Sequence, residues 1–212
     1  MSYDFKWNKL NANMVDFAFP HRYSNFVSLA TALTLSRIQA QASLVEQVVK
    51  DHVKYGASSS SRSTLTPAFF VNVYPFESKL LAVRAFAKKS FRMPTFNDLY
   101  YADMGNSKLN PESALQYDLG FVLNKDWKQG IVDHLRLQVD GYYNTVYDKI
   151  VAYPKGQQFR WTMLNLGKVH IKGVDAMAEV GLEPAKDWKV TARLQYTYQD
   201  ARDVTDPNTS YY

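Results

Sequence analysis

The chain has 212 residues, enough for one ordinary domain or for a portion of something larger, and 46% of them are hydrophobic. Its net charge of +5 is spread along the chain rather than packed into a tract, which gives no argument for nucleic acid, and the lack of any cysteine excludes disulfide scaffolds, thiolate metal sites and cysteine nucleophiles. Aromatic residues are the outstanding class: Tyr, Phe and Trp together make 31 of 212 residues, a composition that favours strands and interfaces.

The first 25 residues carry Asp4, Lys6, Lys9 and Asp16 without an apolar core segment, so no signal peptide is expected in the chain. The charge-free runs Tyr23 to Ser36 and Ser63 to Phe76 are laced with Ser, Thr and Asn and are too short for a transmembrane helix, which needs roughly 20 apolar residues. Ser24 to Ser36 and Ser43 to Lys54 are ambiguous between helix and strand, because Leu44, Val45, Val48, Val49 and Val53 recur at helical spacing. Context favours one hairpin, followed by a flexible loop over Gly56 to Ser63.

From Leu65 onward period-2 alternation dominates. In Leu80 to Phe91 the apolar set Leu81, Val83, Ala85 and Ala87 opposes Arg84 and Lys88. The same division recurs in Ser113 to Asn124 and in His134 to Tyr147, where Leu135, Leu137 and Val139 oppose Arg136, Gln138 and Asp140. It returns in Lys189 to Tyr198, where Val190, Ala192 and Leu194 oppose Thr191, Arg193 and Gln195. After Val169 and Ile171 the apolar phase shifts to Val174, Ala176 and Ala178, which predicts a bulge at Gly173. About eight strands are expected, several of about ten residues or more against roughly 5–6 in ordinary globular sheets. That length suits a tilted membrane crossing, while alternation by itself fits equally a soluble sandwich with one face wet.

The joins discriminate. Short ones at Glu77 to Lys79, Lys128 to Asp133 and Ala185 to Asp187 alternate with long ones at Arg92 to Glu112 and Tyr153 to Met163, so an antiparallel meander gathers its long loops at one end. Asn124-Lys-Asp-Trp-Lys128 and Ala185-Lys-Asp-Trp-Lys189 repeat one another at the short-join end. Tyr100, Tyr101, Tyr142, Tyr143, Tyr147, Tyr196 and Tyr198 fall towards the long-join end, the layout of two interfacial girdles.

Catalytic chemistry finds no purchase. His21, His52, His134 and His170 have no metal-ligand spacing, no P-loop, GxGxxG or GxSxG occurs, and Asp118 with Asp140 reads as polar residues on a wet face. No catalytic residue, metal site, cofactor or nucleic-acid partner is expected.

The segment Ser90-Phe-Arg-Met-Pro-Thr-Phe-Asn-Asp-Leu-Tyr-Tyr101, then Gly105-Asn106, Leu109-Asn-Pro-Glu112 and Gln116-Tyr-Asp-Leu-Gly120, resembles the β-barrel region of TonB-dependent outer-membrane receptors. Asp140-Gly-Tyr-Tyr-Asn144, Asp148-Lys-Ile-Val151, Asn165-Leu-Gly167 and Ile171-Lys-Gly-Val-Asp175 look like the hairpins that follow in that family. The resemblance runs from Leu65 to Asp203 and is weak before it. It implies an all-β antiparallel meander forming part of a transmembrane β-barrel of about 22 strands in the outer membrane of a Gram-negative bacterium. Residues 1–212 are then expected to be a partial barrel without the plug domain, signal peptide or final strands, with Thr205 to Tyr212 a loop and 92–112 a long extracellular loop.

The function so implied is that of a receptor, not an enzyme: uptake of a scarce small-molecule ligand such as an iron chelate (siderophore) or cobalamin. Its partners would be outer-membrane lipid and the TonB energy-coupling complex, the latter reached through parts outside this chain. A soluble β-sandwich binding module is the alternative. Pro94, a positive-φ turn at Gly105-Asn106, and Pro111 read as loop architecture, and Asn97, Tyr100, Tyr101, Asn106 and Trp161 are the candidate ligand contacts at a barrel mouth.

Overall fold

The computed structural model describes residues 1–15, 17–101, 104–155, 160–185 and 187–206, with Lys155 and Arg160 described by their backbone alone. It consists of one nine-stranded antiparallel sheet in sequence order: β1 (Ser2–Lys9), β2 (His21–Thr34), β3 (Ile38–His52), β4 (Arg62–Val73), β5 (Leu81–Arg92), β6 (Glu112–Asp126), β7 (Val132–Lys155), β8 (Arg160–Ala185) and β9 (Trp188–Asp203). A single helical turn, α1 (Phe96–Tyr100), lies between β5 and β6. The sheet is open, with β1 and β9 at its edges.

Both ambiguous N-terminal segments are strands, paired from His21↔His52 to Thr34↔Gln39. Helical spacing in β3 is incidental, since Leu44 and Val48 share one face while Val45 and Val49 share the other, as pleating requires. The ninth strand, not counted in the sequence reading, is β1, where Tyr3, Phe5 and Trp7 alternate with Asp4, Lys6 and Asn8.

The register lines up one apolar face across the sheet. Ala85, Leu119, Gly141, Val174 and Tyr198 form one row, and Val83, Phe121, Val139, Ala176 and Tyr196 the next. This face is uncovered: Leu119 is 52% exposed, Val139 47% and Leu194 73%. No second layer packs on it among the described residues, which removes the sandwich. The opposite face carries Arg84, Asp118, Gln138, Asp140, Asp175, Glu179 and Arg193.

Two expectations are corrected here. Pairing runs unbroken through Gly173, from Gly141↔Val174 to Tyr143↔Lys172 and on to Gln199 in β9, so there is no bulge there; the irregularities sit at Val132/His134 and Leu182/Ala185. Gly173 instead makes room on the polar face for the Tyr142 ring, which lies across β8 to donate a hydrogen bond to Gln199 Oε1 at 3.2 Å. The phase of apolarity changes because the polar face becomes a buried surface near the long-join end, where Val146 and Val169 are 6% and 5% exposed. The segment Tyr153 to Met163 is no loop either. β7 and β8 remain paired out to Lys155↔Arg160, continuing as a two-stranded ribbon beyond Tyr147, where pairing with β6 stops.

The remaining joins keep their alternation. Residues 35–37, 74–80, 127–131 and 186–187 connect strands at one end, and 10–20, 53–61 and 93–111 at the other. Trp127 and Trp188 sit at the short-join end, and outward-facing Tyr117, Tyr143 and Tyr147 lie towards the other, while Tyr142 belongs to the polar face. Of the expected loop Thr205 to Tyr212, residues 207–212 lie outside the described residues.

Candidate functional site

The long-join end is organised around residues 93–111. Thr95 caps α1 by accepting from the Asp98 N–H at 3.1 Å, while the Asp98 carboxylate accepts from the Thr95 N–H at 2.8 Å. This reciprocal cap was legible in Thr-Phe-Asn-Asp and was missed in the sequence reading. Buried Leu99, Tyr100, Leu109 and Ile150 form the core beneath it, with Ala18, Val53, Phe96 and Met163 packed alongside. Gly105 has an ordinary negative φ, as does Asn106, so the positive-φ turn expected there is absent. Glycine is required for another reason: a Cβ at residue 105 would stand 2.6 Å from the Tyr101 nitrogen and 2.8 Å from the Leu99 oxygen.

α1 rests on an ion pair of β2 and β3. Arg22 donates to Asp51 from Nε at 2.6 Å and from Nη2 at 2.7 Å, with the Asp51 side chain fully buried and the guanidinium 5.0 Å from the Phe96 ring centre. Across the mouth, the Met163 N–H donates to the Met104 carbonyl at 3.0 Å. The motif residues scattered over the sequence converge on this joint. Glu112 accepts from Arg92 Nη2 at 3.0 Å and from the Ile150 N–H at 3.1 Å. Asn165 accepts from the Asn110 N–H at 2.9 Å and donates to the carbonyls of Asn110 and Asp148 at 3.0 and 2.7 Å.

The five candidate contacts divide. Tyr100 is 9% exposed, and its hydroxyl oxygen accepts from the Ser59 N–H at 3.0 Å; burial raises its pKa, with the Ser59 hydrogen bond opposing that rise. Asn106 spends its amide internally, donating to the Met163 carbonyl at 3.1 Å and accepting from the Lys108 N–H at 3.0 Å. Asn97 is exposed, Tyr101 is 51% exposed and Trp161 47%. Tyr101 stands three residues before Met104 and Trp161 two before Met163, one on each of the segments that this hydrogen bond joins.

Lower on the polar face, Arg84 of β5 bridges to Asp140 of β7 with Nε–Oδ1 at 2.8 Å and Nη2–Oδ2 at 2.5 Å, and Gln138 Nε2 donates to Asp140 Oδ2 at 2.9 Å. These residues line a recess with Phe70, Phe86, Asp118 and Asp175. Charged groups satisfied along one wall and bare apolar side chains along the other are the arrangement of a wall between water and lipid.

Comparison with known proteins gives one consistent result. Residues 7–212 match the family model described as TonB dependent receptor-like, beta-barrel. The vitamin B12 transporter BtuB of Vibrio vulnificus is 28% identical over 118 residues, covering 55% of this chain and 17% of that protein. Among solved structures, the FrpB iron transporter of Neisseria meningitidis superposes with a TM-score of 0.61 at 16% identity, over 88% of this chain and 27% of that one. The copper transporter OprC gives 0.65 at 20% identity, over 90% and 30%. The chain thus spans about a fifth of the length of the curated relatives it matches.

Proposed function

This chain belongs to the TonB-dependent receptor β-barrel family, and from that premise we propose that it forms part of the wall and mouth of an importer for a scarce, chelated or corrin-like cargo. The family resides in the outer membrane of Gram-negative bacteria and comprises receptors rather than enzymes, and the sheet is a portion of such a barrel. The observation that carries the proposal is the division of the sheet into an uncovered apolar face and an ion-paired polar face, with the long joins 10–20, 53–61 and 93–111 all at one end of the strands.

In this reading residues 92–112 are extracellular, and Tyr101, Trp161 and Asn97 touch cargo, since their side chains are exposed at the mouth. Tyr100 and Asn106 hold the loop in shape. Energy comes from the TonB complex through parts of the receptor outside this chain. Similarity to cobalamin, iron and copper transporters favours a metal-bearing cargo.

The test uses the intact receptor. A deletion strain carrying it on a plasmid is grown with cobalamin, or iron supplied as a chelate, as the limiting nutrient, and uptake of the labelled nutrient is followed. Restored uptake of one of these supports the proposal. Restored growth on neither, with the receptor present at the surface, overturns it.

A further inference from the structure

The four histidines are scattered along the chain, but strand register brings two of them together. His21 and His52 are the outermost pair of the β2–β3 ladder, where the chain leaves both strands for the joins 10–20 and 53–61. Their rings stack at 5.3 Å between centres and 16° between planes. Tyr23 sets its ring edge-on to both, at 5.6 Å from His21 and 6.0 Å from His52. All three stand on the outward face, behind the Arg22–Asp51 pair on which α1 rests.

The nitrogens of this pair differ from those of the other histidines. His134 Nδ1 lies 3.1 Å from Asp133 and its Nε2 3.4 Å from Glu179, and His170 Nδ1 meets the Tyr143 hydroxyl at 3.1 Å. Among the described residues, no group hydrogen-bonds a ring nitrogen of His21 or His52. No carboxylate shares their corner of the two strands: the nearest acid on the outward face is Glu46, roughly 20 Å further along β3. Lys9 is the register partner of His21, and Lys50 that of Tyr23.

We propose that His21 and His52 together hold one divalent transition metal ion, copper(II) ahead of nickel(II) or zinc(II), which clamps the open end of the β2–β3 hairpin. Two imidazoles on one ion bring their ligating nitrogens to roughly 3–3.5 Å from each other, and the stacked rings approach this by turning about their soft terminal torsions. The donor set selects the ion. Nitrogen ligands without a carboxylate suit copper, nickel and zinc and fail calcium and magnesium, which need oxygen, and the two lysines repel ions held by charge alone. Bridging the last register pair fixes the point from which both joins depart, and the join 53–61 carries Ser59, which bonds Tyr100. The clamp thus acts on the mouth from the face turned away from cargo, and it goes beyond the transport reading.

The test uses the intact receptor in detergent, stripped of metal with EDTA and titrated with copper(II), nickel(II), zinc(II) or calcium(II) as simple salts. Diethyl pyrocarbonate labelling, read by peptide mass spectrometry, needs no variant: zinc(II) is expected to protect His21 and His52 together and to leave His170 labelled as before, and calcium(II) to protect neither. Labelling of His21 and His52 unchanged by copper(II) and zinc(II) overturns the proposal. Electron paramagnetic resonance of bound copper(II) should show coordination by two imidazoles. His21→Gln and His52→Gln should each weaken that site at least about tenfold, because a lone ligand loses the chelate advantage, while His170→Gln leaves it unchanged. Wild-type copper affinity in either single variant also overturns the proposal. Uptake of labelled nutrient by the variant carrying both His21→Gln and His52→Gln, measured in parallel, should match the wild type; lost uptake with the receptor at the surface would put the pair in the cargo path and overturn the clamp.

Discussion

Arg84 and Asp140 meet across a strand to which neither belongs. They stand in register on either side of Gly120 in β6, and their two-pronged bridge passes over the place where a side chain at residue 120 would lie. The pair is half-sheltered, with Asp140 8% and Arg84 35% exposed, and Gln138 fills a further carboxylate site. Gly120→Ala is therefore expected to break the bridge without touching either charge. In a double-mutant cycle, Gly120→Ala and Asp140→Asn should each cost about 1.5–3 kcal/mol and their sum should exceed the cost of the pair together. Unfolding of the intact receptor in urea reads this directly, and simple additivity would contradict it.

Leu194 and Gln195 are neighbours on opposite faces of β9. Leu194→Arg places a charge on the face read as lipid-exposed, in the same row as Leu137, and should destabilise the inserted receptor by about 2–4 kcal/mol if that row lies near the midplane. Gln195→Arg faces the lumen and should be close to neutral. Equal losses at the two positions in a refolding titration would refute the assignment of faces.

Tyr100 and Tyr101 are adjacent but opposite in role. Tyr100→Phe removes the acceptor of the Ser59 N–H and should cost about 0.5–1.5 kcal/mol, whereas Tyr100→Ala also opens a cavity costing about 3–5 kcal/mol. Faster proteolysis of residues 93–111 is the expected readout. Tyr101→Ala should leave proteolysis unchanged and weaken cargo binding; the reverse pattern would exchange the roles.

Gly56 and Gly130 both lie in open turns with positive φ, with space around them, on joins at opposite ends of the sheet. An epitope after Gly56 should be reached by antibody on intact cells, and one after Gly130 only once the outer membrane is opened. Detection of the Gly130 tag on intact cells would invert the topology.

The two faces were legible in the sequence where a membrane-facing position is bounded by polar neighbours, as at Leu137 between Arg136 and Gln138 or Leu194 between Arg193 and Gln195. The loop family was legible too, since Arg92, Pro94, Glu112 and Asn165 appear in order. What they do was not. Glu112 and Asn165 are 53 positions apart yet serve the same joint, and no local pattern announces a hydrogen bond from Ile150 or Asn110. Gly173 and Gly105 misled for the same reason: each answers to an atom brought close by folding, the Tyr142 ring in one case and the α1 backbone in the other. Tyr100 looked like a ligand contact because a mouth-facing aromatic and a core aromatic are spelled alike.

The ribbon of β7 and β8 beyond Tyr147 has a thermodynamic consequence. A two-stranded ribbon is marginally stable alone, and here its backbone is tied to residues 104–112 through Ile150, Met163 and Asn165. Neither partner has enough internal bonding to persist without the other, so the two should open as a single cooperative unit, at a free energy well below that of unfolding the sheet. Amide hydrogens of Ile150 and Met163 should accordingly report one common opening free energy in hydrogen exchange, and access to the mouth would be all-or-none rather than graded.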